Sequence, residues 1–404
     1  MEEGYLYKNQ KKLRWGYTTG TCAAAASLAA AVMLLRHSPQ EHAVLTTPKG
    51  IRLSLDILDI QLEENSASCA VRKDGGDDPD VTNGLLICSR VFRADGSVGV
   101  LDEVWKSGCY EYKNEGISLK LRGGVGVGTV TKPGLSCEVG KPAINPVPRQ
   151  MIFSQVEKVC REEGFQGQLY IEIFVPGGRE RAERTFNPKM GIVGGISILG
   201  TSGIVEPMSE SALLETIRLE LRQKHLEGRK LLIMTPGNYG EAFLTDHLEL
   251  KLEQAVKCSN YIGASIDMAA EEGISQVLLT GHGGKLIKLA AGIMNTHSSV
   301  ADGRMEILAA HGAACGCSCE MTEQILESVT VDQALAYLEQ ISGLREQVMR
   351  RIMRKIQENI QRRAGGRLQI EALVFTNERG ILGMTDGAEA LIRQLKEEDR
   401  GEKD

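Results

Sequence analysis

Three short apolar runs in this chain each end in a turn of small residues. Gly195-Ile196-Ser197-Ile198-Leu199 leads into Gly200-Thr201-Ser202-Gly203. Leu231 to Met234 leads into Thr235-Pro236-Gly237-Asn238-Tyr239-Gly240. Val277 to Leu279 leads into Thr280-Gly281-His282-Gly283-Gly284-Lys285. Such repetition restricts the fold, because loops at the carboxyl ends of parallel strands form the ligand edge of an open sheet. Small residues let a ligand approach the backbone, and free N–H groups at a helix start favour an anion or a polar group. Gly195, Gly200, Thr201, Ser202, Gly203, Thr235, Gly237, Asn238 and Gly240 are therefore the expected cradle of a polar cofactor.

With 404 residues, the chain is expected to form two domains. The α/β class follows from the order of elements. Residues 1–185 read as a mixed α+β domain. Its strong helix, Cys22 to Leu35, is nearly free of charge and has Thr residues as N-cap candidates. Strands are expected at 51–58, 68–72, 98–101, 117–121 and 169–175, and a helix at about 148–163, with a linker near 180–189. Residues 186–404 alternate strand and helix, as in a Rossmann-like open sheet with crossover helices. Its strands are expected near 191–199, 230–235, 258–262, 276–280 and 370–376, with a helix from Ser209 to Lys224 after the first. Leu344, Val348, Ile352, Ile356 and Ile360 recur every fourth residue and mark the apolar face of a long helix.

Net charge is −6, which argues against a general nucleic-acid binder. Arg350, Arg351, Arg354, Lys355, Arg362 and Arg363 read as a solvated helix face. No stretch of 18 apolar residues stands out, and Met1 to Arg14 is polar without a signal-peptide core, so a cytoplasmic protein away from membranes is expected. The ten cysteines are scattered and read mostly as small buried hydrophobes. Cys315-Gly316-Cys317-Ser318-Cys319, four residues after His311, is the exception. Zinc ligand pairs usually have two to four residues between them, and this tighter run crowds a tetrahedral ion, so no metal site is assigned.

Two further clusters have the makings of chemistry. Arg72-Lys73-Asp74-Gly75-Gly76-Asp77-Asp78-Pro79-Asp80 packs four carboxylates beside two cations in a loop. A magnesium site, a carboxylate acting as base or ligand, and an acidic turn all fit it. His282, between glycines at a strand end, faces an expected crevice, and Lys285 beside it can hold an anion. His297 and His311, near Asn295 and Asp302, have structural and functional readings of equal standing. No nucleophile-plus-base set, Walker loop or zincin helix is present, and Gly123 to Gly128 does not match the dinucleotide fingerprint. The residues thus describe an enzyme for a polar cofactor and an anionic substrate, without the reaction.

A resemblance supplies it. Gly16-Tyr17-Thr18-Thr19-Gly20-Thr21-Cys22-Ala23-Ala24-Ala25, Lys73 to Thr82, Gly140-Lys141-Pro142-Ala143-Ile144-Asn145-Pro146-Val147-Pro148-Arg149, Gly195 to Pro207, Thr235 to Gly240, Ser259 to Gly263 and Gly281 to Gly292 resemble, in consistent order, the motifs of the CbiD family. That family comprises the cobalt-precorrin-5B C1-methyltransferases of anaerobic cobalamin (vitamin B12) biosynthesis. The resemblance implies S-adenosylmethionine as methyl donor, a cobalt tetrapyrrole rich in acetate and propionate groups as substrate, and cobalt-precorrin-6A as product. Cobalt would arrive with the substrate. It implies substrate contacts from Thr18, Thr19, Lys141, Arg149, Arg179 and Lys285, with His282, Asp77 and Asp78 as candidates for moving a proton. Methyl transfer needs no protein nucleophile, which suits the residues. Self-association is left open. A nucleotide-dependent phosphotransferase and a non-catalytic tetrapyrrole carrier are the alternatives; stabilisation by S-adenosylhomocysteine but not by ATP and Mg²⁺ would separate the first from a methyltransferase.

Overall fold

The computed structural model describes residues 4–8, 11–93, 105, 108–237, 243–245, 247, 248, 250 and 255–401. The expected strand at 98–101, together with Asn238 and Gly240, lies outside them. The chain divides into two compact units, Met1–Glu210 and Ser211–Asp404.

The first unit is built on a six-stranded sheet. Across it run Leu58–Leu62, Ser66–Arg72, Leu86–Arg93, Gly167–Phe174, Ile117–Gly123 and Tyr110–Asn114. All neighbours are antiparallel except Ile117–Gly123 and Gly167–Phe174, which run parallel. The helices Thr19–Arg36 and Pro146–Glu162 supply the core against this sheet. The first helix begins three residues earlier than expected, because Thr18 caps it by accepting the Thr21 N–H. Cys22 to Ala26 are wholly buried. With so little side-chain bulk the helix lies close to the strands: Cys69 Sγ donates to Ala26 O at 3.2 Å, and Ser27 and Ser89 share a hydrogen bond of 2.9 Å. By length and composition this helix is apolar enough to cross a membrane, contrary to the expectation that none would be. Most of it (78%) is instead buried in the unit. Its hydropathy is that of a core helix.

Residues 186–207, expected in the second domain, pair with the first unit. Gly16–Tyr17 pairs with Ile204–Val205, Gly126–Val127 with Gly195–Ile196, and Thr129–Val130 with Ile192–Val193. The run expected as one strand at 191–199 is therefore two short strands with partners distant in sequence. Sequence periodicity carries no record of such pairings.

The second unit holds a five-stranded sheet. Across it run Ala255–Lys257, Leu231–Thr235, Gln276–His282, Gln369–Thr376 and Gly380–Met384. The first four are parallel, and the last is antiparallel at the edge. In chain order this is second, first, third, fourth, fifth. The strand expected at 258–262 falls at 255–257, and Ile262 instead opens a helix, Ile262–Glu271. Both faces of the sheet are covered, as a parallel sheet requires. Leu232 and Met234 pack with Ile266, Val348 and Ile352; Leu231 and Ile233 pack with Phe243, Leu391 and Leu395. The expected long helix is Leu344–Ala364, with Leu344, Val348, Ile352, Ile356 and Ile360 buried.

Candidate functional site

The Gly200–Gly203 turn, expected to border the cofactor, belongs to the first unit, where it closes over the start of helix Thr19–Arg36. Thr18 N donates to Gly203 O at 3.1 Å, Gly20 N to Leu199 O at 3.0 Å, and Thr21 Oγ1 to Gly203 O at 2.7 Å. Thr19 Oγ1 accepts from Leu199 N at 2.9 Å. Thr18, Thr19 and Thr21 are buried. Their hydroxyls are spent on the fold, so the structure gives Thr18 and Thr19 no hydroxyl facing solvent for a substrate. Gly203 has φ of +78°, and a Cβ there would lie 2.8 Å from Thr47 Cβ. At Gly195 a Cβ would lie 2.2 Å from the backbone of Gly126, and at Gly200 2.4 Å from Thr18. These glycines are small because protein, not ligand, fills the space. Ser202 Oγ turns to its own loop, donating to Ile204 O at 2.9 Å, while Thr201 is exposed.

The acidic loop is similarly committed. Arg14 forks onto Asp74 at 2.6 and 2.8 Å, and this guanidinium holds the Asp74 carboxyl below its ordinary range. Lys73, buried with only 1% of its side chain exposed, donates to Asp80 at 2.8 Å. Asp77 accepts the Arg14 N–H at 2.6 Å, and Asp78 accepts the Met208 N–H at 2.9 Å. The carboxylates staple the loop to neighbouring strands. Of the three readings open in the sequence, the acidic turn describes these contacts.

Three expected substrate cations belong to the first unit. Arg149 sits over Tyr110, its guanidinium carbon 3.9 Å from the ring centre. Its Nε is buried with no hydrogen-bond partner, and no ion pair joins it to any acidic side chain among the described residues. Lys141 Nζ donates to Cys109 O at 2.7 Å. Arg179 is exposed on the short helix Gly178–Ala182. Tyr110, the ledge under Arg149, was missed in the sequence. The alternation Tyr110-Glu111-Tyr112 marks its strand but not its partner.

In the second unit, Leu231–Thr235 and Gln276–His282 are adjacent and parallel, and the chain leaves them toward opposite sides in the strand order. Ligands of open sheets bind at such a switch point, outside the carboxyl ends. There stand Thr235, Gly237, His282 and Lys285. Gly237 has φ of +145°, and a Cβ on it would lie 3.6 Å from Lys285 Nζ. Lys285 is partly buried and donates to Pro236 O. Burial pulls its ammonium below the ordinary lysine range. His282 Nδ1 accepts the Gly284 N–H at 3.1 Å, so in its neutral form the proton sits on Nε2. Burial also pulls its pKa down, only partly opposed by Asp332. In that tautomer Nε2 is a donor, whereas the expected role in moving a proton needs an unprotonated ring nitrogen. Thr280, two residues earlier, is wholly buried with an unpartnered hydroxyl.

The other flagged groups are local. His297 Nδ1 meets Ser299 Oγ at 2.6 Å and Asn295 Oδ1 accepts the His297 N–H. Cys315, Cys317 and Cys319 are free thiols, and no group of three metal-ligating side chains exists among the described residues.

The CbiD family model matches residues 6–207, and that of the CbiD C-terminal domain matches residues 295–386. The cobalt-precorrin-5B C(1)-methyltransferase of Ruminiclostridium cellulolyticum is 45% identical over 99% of this chain and 100% of its own. The chain belongs to the CbiD family. Other CbiD-family relatives bear the same enzyme name. That of Alkaliphilus metalliredigens is 43% identical over 98% of each chain, and that of Clostridioides difficile is 39% identical over 97% of this chain and 99% of its own. The 1.9 Å crystal structure of cobalamin biosynthesis protein (cbiD) from Archaeoglobus fulgidus is 28% identical, covers 71% of this chain and 83% of that one, and has a TM-score of 0.37.

Proposed function

We propose that this CbiD-family chain transfers a methyl group from S-adenosylmethionine to C1 of cobalt-precorrin-5B, giving cobalt-precorrin-6A, in a cytoplasmic setting. The observation that carries this reading is the near full-length identity to enzymes of that name. Ten free thiols, seven of them buried, suit a reducing compartment.

The second unit is assigned the methyl donor, as a Rossmann-like unit with its site at the switch point. The residues fit an amino-acid ligand: a partly desolvated cation at Lys285, a donor at His282 Nε2, and a glycine at 237 where a side chain would approach that cation. Lys285 would take a carboxylate, and Thr235 with Gly237 would border the polar remainder. When bound, the sulfonium supplies an electrophilic methyl group. The protein then contributes orientation and exclusion of water, and no side-chain nucleophile is required. Arg149, Lys141 and Arg179 are assigned to carboxylates of the tetrapyrrole. Arg149 is the best prepared of them, since it sits over the Tyr110 ring and has no acidic partner among the described residues. Asp77 and Asp78, engaged with backbone N–H groups, are given no proton to move.

The test is incubation of the purified protein with cobalt-precorrin-5B and methyl-labelled S-adenosylmethionine. One labelled methyl at C1 and stoichiometric S-adenosylhomocysteine are expected. Label at another carbon, or none while both ligands bind, refutes the proposal.

A further inference from the structure

A cavity of about 210 Å³ lies in the first unit, with Trp105, Cys109, Arg122, Gly140 and Pro142 in its walls. It is smaller than the pockets that enclose a whole drug-sized ligand, so it suits one arm of a larger molecule.

Trp105, Arg122 and Lys141 offer it donors without acceptor capacity, and the hydroxyl of Thr129, also in the wall, can donate as well as accept. Arg122 gives Nε and Nη2 to Glu172 Oε1 at 3.0 and 2.7 Å, which leaves Nη1. Its guanidinium sits 4.4 Å from the centre of the Trp105 ring and steadies the indole. Trp105 is 1% exposed, and its Nε1–H has no acceptor. Lys141, between two wall residues, spends one N–H on Cys109 O and keeps two. Glu172 neutralises Arg122, so Lys141 supplies the net positive charge. An indole N–H buried without an acceptor is a standing cost that a ligand oxygen would remove.

We propose that this cavity is a subsite for a carboxylate on a short alkyl arm, gripped by Trp105 Nε1, Arg122 and Lys141. It rests on the functional reading above, which supplies a substrate bearing such arms. An amide of the same shape has one oxygen and no charge, so the subsite would discriminate acid from amide.

The chain has two tryptophans, Trp15 and Trp105. Full-length protein labelled at the indole nitrogens therefore gives two N–H signals, assigned with Trp105→Phe or, should that fail to fold, Trp15→Phe. Sodium propionate is expected to move the Trp105 signal saturably, and propionamide is not. Arg122→Gln and Lys141→Met should each weaken the propionate response by roughly tenfold, the scale of one charge-assisted hydrogen bond. No saturable shift, or an equal shift with propionamide, overturns the subsite. In the methyl-transfer assay Trp105→Phe should raise the KM for the tetrapyrrole about tenfold and leave that for the methyl donor where it was. An unmoved tetrapyrrole KM also overturns it. A propionate response without methyl transfer would keep the subsite and sink the functional reading; methyl transfer without a propionate response would do the reverse.

Discussion

The buried pair between Lys73 and Asp80 offers a sharp test of what the acidic loop is for. Lys73 has 1% of its side chain exposed and Asp80 has 21%. Asp80 also accepts from Thr82 N and Thr82 Oγ1 at 2.7 and 2.6 Å. Asp80→Asn keeps the shape and leaves a buried ammonium with no counter-charge. Breaking one side of a buried pair costs about 3–5 kcal/mol, and Asp80's partial exposure favours the lower end. For a unit of this size, about 3 kcal/mol lowers the melting temperature by roughly 6–12 °C. Lys73→Met removes the charge that needs a partner and should cost less. The double variant should be more stable than the sum of the single losses implies, with a coupling of at least about 1 kcal/mol. The pH dependence has a definite sign. Burial raises the Asp80 carboxyl, but Lys73 and Thr82 outweigh it and hold the group below its ordinary value. Its contribution is therefore complete above the unfolded pKa of about 3.9 and is lost as pH falls through the lower folded value. Wild-type and Asp80→Asn stabilities should converge there. Thermal and urea unfolding across pH, with turnover per folded molecule, make the assay. A coupling below about 0.5 kcal/mol, or a loss of turnover without loss of stability, would refute the structural role.

Other outcomes follow from the same geometry. Gly203→Ala should destabilise the first unit by about 1–3 kcal/mol, because the backbone is left-handed and Thr47 and Thr21 crowd the new Cβ; an unchanged melting temperature would contradict this. Lys285→Met should weaken S-adenosylhomocysteine binding by roughly tenfold or more in calorimetry, the scale of a charged hydrogen bond, without altering tetrapyrrole affinity. Arg149→Ala should show the opposite split between the two ligands. For His282, a depressed pKa keeps the imidazole neutral below its ordinary value of about 6.5. Any acid limb it imposes on kcat should therefore lie below that pH in wild type and disappear in His282→Asn; a limb centred above 6.5 would count against the donor role.

Much of the second unit was legible because its code is local. Leu231–Thr235, Gln276–His282 and Gln369–Thr376 are apolar runs bounded by loop residues, and the Leu344–Ala364 helix declares its face every fourth residue. The Thr235 and Gly281 loops fell at the expected strand ends for the same reason. The Gly195–Gly203 segment has the same local grammar, yet it serves the first unit. Its meaning depends on Gly126, Thr18 and Thr47, all far away in sequence. The acidic loop is ambiguous for a similar reason: four carboxylates suit a ligand site as well as a turn until Arg14, Lys73 and two backbone N–H groups are seen to use them. Cations were easier to pick than their settings. Arg149 was visible, but neither Tyr110 beneath it nor the unpartnered indole N–H of Trp105 leaves a signal in a single sequence.

The pairing of Gly16–Tyr17 with Ile204–Val205 sets a timetable for synthesis. At about 5–20 residues per second, the later strand emerges roughly 10–40 s after the earlier one. Until then Gly16–Tyr17 lacks that neighbour, and the turn that closes over Thr18 and Thr21 has not been made. A fragment ending at residue 185 would be held in that condition permanently, so the shortest piece that starts at Met1 and is expected to fold by itself runs to about residue 210.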